Sequence, residues 1–169
     1  NVLTMECSPM RVLAEIEPIY ILGDFRLEPA AKGWNIVAPG DFAAGSWKAQ
    51  GWPCYPGKVT YAREFDVAEK APYYEVALGE WKGTVCEVLV NGRSAGIVYA
   101  EPYTVDVTEW IVEVKVVGSN YNLMGPLHAA HFKRITPAFW RGVKEYPSGK
   151  DYVQQDYGLM GDFTLAAGR

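Results

Sequence analysis

A chain of 169 residues is long enough for one well-buried core and too short for two comfortable domains, so residues 1–169 are expected to form one unit. Hydrophobic residues make up 49% and charged residues 21%, an ordinary soluble mix, with no apolar run near the ~20 residues of a membrane-spanning helix. The net charge of −4 and the lack of like-charge runs argue against nucleic acid and membrane as partners.

Period-two alternation dominates the chain, and no segment sustains helical periodicity. Ile19, Ile21, Phe25 and Leu27 share one parity and predict a strand, with a short one following at Trp34–Val37. A Gly/Pro-rich loop covers residues 39–57. Val59, Tyr61, Phe65 and Val67 then alternate with polar or small residues, and Arg63 breaks that pattern. An arginine held by a carboxylate is the plainer reading of Arg63, a ligand-facing one the sharper. Tyr74, Val76 and Leu78 form the next inward set. Cys86-Glu-Val-Leu-Val leads into Asn91-Gly92, residues that tolerate the positive φ of a type I′ hairpin. A return strand over residues 94–99 follows, then the alternations of Tyr103, Val105 and Val107 and of Val112, Val114 and Val116. Two more strands are expected near residues 139–146 and 157–165. Short, evenly spaced strands with turn signals between them predict an all-β antiparallel β-sandwich.

The cysteines, Cys7, Cys54 and Cys86, number three and lack metal-ligand spacing. Cys86 shares parity with Val88 and Val90 and is expected to be a buried free thiol. A Cys7–Cys54 disulfide is conceivable but nothing supports it. The chain opens on Asn1 without a signal peptide, which reads as a piece of a longer protein.

Six Trp and eleven Tyr exceed the needs of a core this size, because both carry a polar atom that wants a partner or water. If successive strands reverse direction, the loops 39–57, 79–83, 99–102 and 118–132 emerge at one end of the sandwich. That end collects Trp47, Trp52, Tyr55, Trp81, Tyr99, Tyr121, His128 and His131, with Tyr103 at its margin. Gln50, Glu80, Glu101, Asn120 and Asn122 lie in or beside the same loops. Flat rings beside hydrogen-bonding side chains are what a sugar needs, since the C–H-rich face of a pyranose packs on an aromatic plane while its hydroxyls take polar partners. Trp47, Trp52, Tyr55, Trp81, Tyr99 and Tyr103 are therefore the candidate carbohydrate-binding residues. Core capping and contact with a neighbouring domain are the competing uses of the same rings.

The stretch Tyr61-Ala-Arg-Glu-Phe-Asp-Val resembles the strand that opens the sugar-binding jelly roll of glycoside hydrolase family 2 and its relatives. Glu87-Val-Leu-Val-Asn-Gly-Arg-Ser-Ala-Gly and Pro102-Tyr-Thr-Val-Asp-Val-Thr carry the same resemblance. The run from Glu113 through Asn120-Tyr-Asn-Leu-Met-Gly-Pro-Leu-His is similar to versions in accessory domains of bacterial polysaccharide-degrading enzymes. The resemblance implies a galactose-binding-like jelly roll and a non-catalytic module of a glycoside hydrolase. Its partners would be plant-type poly- or oligosaccharide and a catalytic domain of the same parent chain. It also implies a secreted, cell-surface or periplasmic setting. The connection from Thr108 to Val112 is shorter than in those relatives, which leaves the placement of Trp110 open.

No nucleophile elbow, zinc-protease motif or phosphate loop occurs, so no catalytic residue, metal ligand or cofactor is assigned. His128 and His131 lack the carboxylates or thiols of a metal site, and a structural calcium is not readable from sequence. Two other functions remain: a structural domain that packs on a catalytic domain without binding sugar, and a small jelly-roll glycosidase. The last would need two carboxylates about 5–5.5 or about 6.5–9.5 Å apart, and Glu75 and Glu87, outward-facing on strands expected to be adjacent, are its candidates.

Overall fold

Val112, Val114 and Val116 are fully buried, and Glu113 and Lys115 between them point the other way. Each such valine contributes about 1.5–3 kcal/mol by leaving water, which makes this strand the spine of the core. The computed structural model describes residues 2–14, 19–66, 71–107, 111–124 and 147–167. In chain order the strands are β1 (Arg26–Pro29), β2 (Trp34–Val37), β3 (Lys58–Glu64), β4 (Tyr74–Leu78), β5 (Trp81–Lys82) and β6 (Val85–Val90). They continue with β7 (Arg93–Val98), β8 (Thr104–Val107), β9 (Ile111–Val117), β10 (Gly158–Leu159) and β11 (Phe163–Ala167). A single helical turn, α1 (Tyr121–Met124), follows β9, and a 3-10 turn spans Gly149–Asp151.

A four-stranded sheet, β3-β9-β6-β7, faces a three-stranded one, β11-β4-β8, and the strand pairs are antiparallel. Cys86, Val88 and Val90 on β6 meet Tyr74, Val76 and Leu78 on β4 in one core, closed by Leu159 and Phe163. The expected β-sandwich is therefore present. At one edge β7 lies close to β8, where a Cβ on Gly96 would stand 3.0 Å from Val105. At the other edge Arg63 pairs with Asp162 before β11, its guanidinium 5.1 Å from the Phe65 ring. Arg63 is thus the carboxylate-held arginine of the plainer reading. The Asn91-Gly92 hairpin forms with φ of 50° and 75°, as its residue types require.

Three expectations are corrected. Ile19 and Ile21 are exposed and outside any strand, and β1 begins only at Arg26, because the alternation upstream finds no strand to pair with among the described residues. The strand expected over residues 157–165 divides into β10 and β11, since residues 160–161 turn to meet the Glu80 carbonyl. Glu75 and Glu87 are not on adjacent strands: β4 and β6 belong to opposite sheets, so the two carboxylates lie on opposite outer faces. Sheets stack about 10 Å apart, and outward carboxylates lie farther still, which removes this pair from one glycosidic bond. Instead Glu87 accepts a 2.7 Å hydrogen bond from Lys115, which holds its carboxyl below the usual range. The strand expected at residues 139–146, together with Val67, Trp110, His128 and His131, lies outside the described residues.

Cys7, Cys54 and Cys86 are all free thiols, so the conceivable Cys7–Cys54 disulfide is absent. Burial pushes the Cys86 thiol up to about 12. The native protein at pH 8 is expected to label quickly at exposed Cys7 and not at Cys86, checked by mass spectrometry of alkylated peptides. Unfolding titrations should also show stability falling as pH rises from about 9 towards 12. Over that window the unfolded thiol has lost a proton that the folded one keeps.

Candidate functional site

Strand register decides which loops share an end. Lys58 and Val85 both oppose Val117, and Cys86 opposes Val98, so loops 39–57, 79–84 and 99–103 and the segment after Val117 gather at one pole. Gly118 seals the arrangement by donating its N–H to the Gly57 carbonyl at 2.9 Å. The expected gathering of aromatic loops is therefore real. What the pole does with its rings is more divided.

Trp47 is only 1% exposed and belongs to the core, which corrects its placement among the surface rings. Its Nε1–H donates to the Tyr61 hydroxyl at 2.8 Å, and its backbone N–H donates to the Tyr157 carbonyl at 2.9 Å. Tyr55 packs edge-on against it at 5.6 Å and Tyr157 at 6.0 Å, leaving no face for a ligand. Trp52 and Tyr55 line an apolar hollow of about 440 Å³ together with Ile21, Leu22, Phe25 and Leu123. That hollow offers a sugar few hydrogen-bonding groups.

Trp81, Tyr99 and Tyr103 come together in a separate cleft of about 470 Å³. Trp81 on β5 meets Tyr103 edge-on at 5.8 Å, and Tyr99 is 76% exposed at the mouth. Lys82, Gly83 and Thr84 continue the wall beside Trp81, and Gln154, Gln155, Asp156 and Tyr157, which the sequence reading did not single out, complete it. Asp156 accepts a 2.7 Å bond from the Ser46 hydroxyl and lies 3.5 Å from the Lys48 ammonium. The Ser46 bond, aided by Lys48, keeps its carboxyl below the usual range, so it stays an acceptor at neutral pH. Tyr157 shares a 2.6 Å bond with Ser119. Gln154 is 8% exposed, with its Nε2 3.5 Å from the Cys54 sulfur. Its Oε1 and the Trp81 Nε1–H are buried without a hydrogen-bond partner among the described residues. Buried polar atoms without partners are uncommon, and here both belong to one cleft wall.

The polar residues expected beside the rings are mostly engaged elsewhere. Asn122 is buried, donating to the Gln155 carbonyl at 2.8 Å and accepting from the Gln155 N–H at 2.9 Å. Gln50 clamps both backbone groups of Ala43, and Glu80 pairs with Lys82 at 3.7 Å. Asn122 thereby positions the 154–157 segment instead of meeting a ligand. The run Gln154-Gln-Asp-Tyr carries polar groups next to an aromatic and was the available signal. The strand expected over residues 157–165 hides that signal by claiming Tyr157 for its alternation.

No protein-family model matches the chain, and no curated protein sequence does. Its structure is similar to part of a solved rhamnosidase, a glycoside hydrolase, from Novosphingobium sp. PP1Y, with a TM-score of 0.51 and 20% identity. The match covers 91% of this chain and 16% of that one, and at this identity it speaks to the fold alone.

Replacing Trp47 with Ala is expected to cost about 3–5 kcal/mol of stability, because it empties a core site and strands the Tyr61 hydroxyl. Tyr99→Ala, at an exposed position, should stay within about 0.5 kcal/mol of the parent. Chemical denaturation of both variants checks the division between capping ring and cleft ring.

Proposed function

We propose that this chain is a non-catalytic jelly-roll module of a glycoside hydrolase that binds poly- or oligosaccharide in the Trp81–Tyr99–Tyr103 cleft. The observation that carries the reading is the exposed Tyr99 ring beside a wall holding Asp156 and Gln154. An aromatic face with a few placed polar groups suits an amphipathic, polyhydroxylated ring. The resemblance of the 61–67, 87–96 and 102–108 motifs to sugar-binding jelly rolls, and a rhamnosidase as structural neighbour, support the same class. The fold alone would not, because sandwiches of this kind serve many roles.

A second reading has its own observation. Ile21 and Leu22 are exposed beside the apolar hollow that Trp52 and Tyr55 rim, and an apolar surface of this sort serves contact with another domain. A catalytic domain of the same parent chain is the occupant this reading names. It does not compete for the Trp81 cleft.

Affinity electrophoresis against soluble plant polysaccharides, followed by titration with oligosaccharides, tests the first reading. A shallow cleft should give a Kd nearer ~1 mM than 1 nM. Tyr99→Ala should weaken binding about fivefold or more with an unchanged melting temperature. Retarded migration on no polysaccharide, or Tyr99→Ala without effect, would overturn it. The same protein should release no product from chromogenic glycosides, and turnover there would make it an enzyme.

A further inference from the structure

A second cleft, of about 420 Å³, opens where the β1–β2 ribbon meets the 3-10 turn at Gly149–Asp151. The turn is pinned by a parallel bridge between Gly33 and Ser148 and by a bond from the Gly33 N–H to the Pro147 carbonyl at 2.8 Å. Gly149 lies against the Trp34 ring, where a Cβ would come within 2.8 Å, and Tyr152 meets the same ring at 5.7 Å. Two aromatics are thus held against each other in the wall of this cleft, as Trp81 and Tyr103 are in the first.

The charges differ. Arg26, Lys48 and Lys150 line this cleft against one carboxylate, Glu28. Lys48 is answered by Asp156 at 3.5 Å. Arg26 donates its Nε–H to the Ala38 carbonyl at 3.1 Å, and its terminal nitrogens have no partner among the described residues. Lys150 is exposed and makes no ion pair among the described residues. Against Glu28, the cleft keeps positive charge in excess on a chain whose net charge is −4.

The two clefts meet at Gln154, which lines both and carries the partnerless buried Oε1. Lys48 of this cleft also lies 3.5 Å from Asp156 of the first, so the two clefts adjoin.

We propose that the second cleft is a subsite for an acidic sugar, a uronate whose carboxylate meets Arg26 and Lys150 while its ring lies by Trp34 and Tyr152. This rests on the glycan-binding reading above and specifies its ligand: an oligosaccharide that carries carboxylates and runs from one cleft to the next. The guanidinium's fork suits a carboxylate, and the flexible Lys150 supplies an adaptable second charge.

The test is calorimetric titration of the protein with an oligogalacturonide and with the same oligomer after its carboxyl groups are reduced to alcohols. At low salt the acidic form should bind about 2–5-fold more tightly, the yield of an exposed charge contact. Raising the salt to about 0.5 M should shrink that ratio towards one, because screening acts on the charged form alone. Lys150→Gln, at an exposed position, should shrink it likewise with an unchanged melting temperature. Arg26→Lys, keeping the charge, should retain a reduced preference. Tyr99→Ala should weaken both oligomers alike. Equal binding of the two oligomers, or a ratio that Lys150→Gln leaves untouched, would overturn the acidic subsite while leaving the first cleft intact. Failure of both oligomers, together with every neutral polysaccharide, would overturn the glycan reading itself.

Discussion

The indole of Trp47 joins three parts of the chain that are far apart in sequence. Its ring nitrogen donates to Tyr61 on β3, and the same hydroxyl lies 3.4 Å from the Leu159 N–H on β10. Its backbone N–H donates to Tyr157, and Gly45 does the same to Leu159 at 2.7 Å. The long 39–57 loop, the four-stranded sheet and the C-terminal segment are thereby locked through one buried side chain with its polar atom satisfied. Burial pushes the Tyr61 hydroxyl's pKa up, which keeps it neutral and fit to accept these bonds. Gly158 lies so close that a Cβ there would stand 3.1 Å from the indole, and its φ of 136° is one that L side chains rarely adopt.

Both clefts depend on this lock. The segment from Gln154 to Tyr157 is held by Trp47 at one end and by the paired bonds of Asn122 to Gln155 in the middle. Ser46 and Lys48, on the Trp47 turn, fix Asp156 from the other side. The cleft wall is consequently a rigid piece of backbone with its carboxylate oriented in advance, so a ligand need not order it on binding. A loop of this length without regular structure carries its order in such specific contacts.

The carboxylates follow a different logic. Glu87 is spent on Lys115, Asp162 on Arg63 and Glu80 on Lys82, each on or beside the sandwich surface. Ion pairs this open to solvent contribute little to stability, so they tune the surface without making the fold. None of these three carboxylates lines either cleft or the apolar hollow.

Much of the sandwich was legible in the residues themselves. Apolar residues at every second position of β6 (Cys86, Val88, Val90) and β9 (Val112, Val114, Val116) can satisfy water and core only as half-buried strands, and Asn91-Gly92 admits a tight hairpin because both residues accept positive φ. Alternating strand direction even placed the aromatic loops at one pole, since that follows from connectivity without any coordinates. The sequence was silent on depth. Trp47 and Tyr99 are both aromatics of polar loops, yet one is sealed in the core and the other stands in water. The difference lies in what the distant 154–159 segment brings against each ring. The same holds for Glu75 and Glu87, whose parity was correct and whose sheets were not. Local pattern determines which way a side chain points from its own strand. Which partner lies opposite is set by long-range packing, and that only the tertiary structure decided.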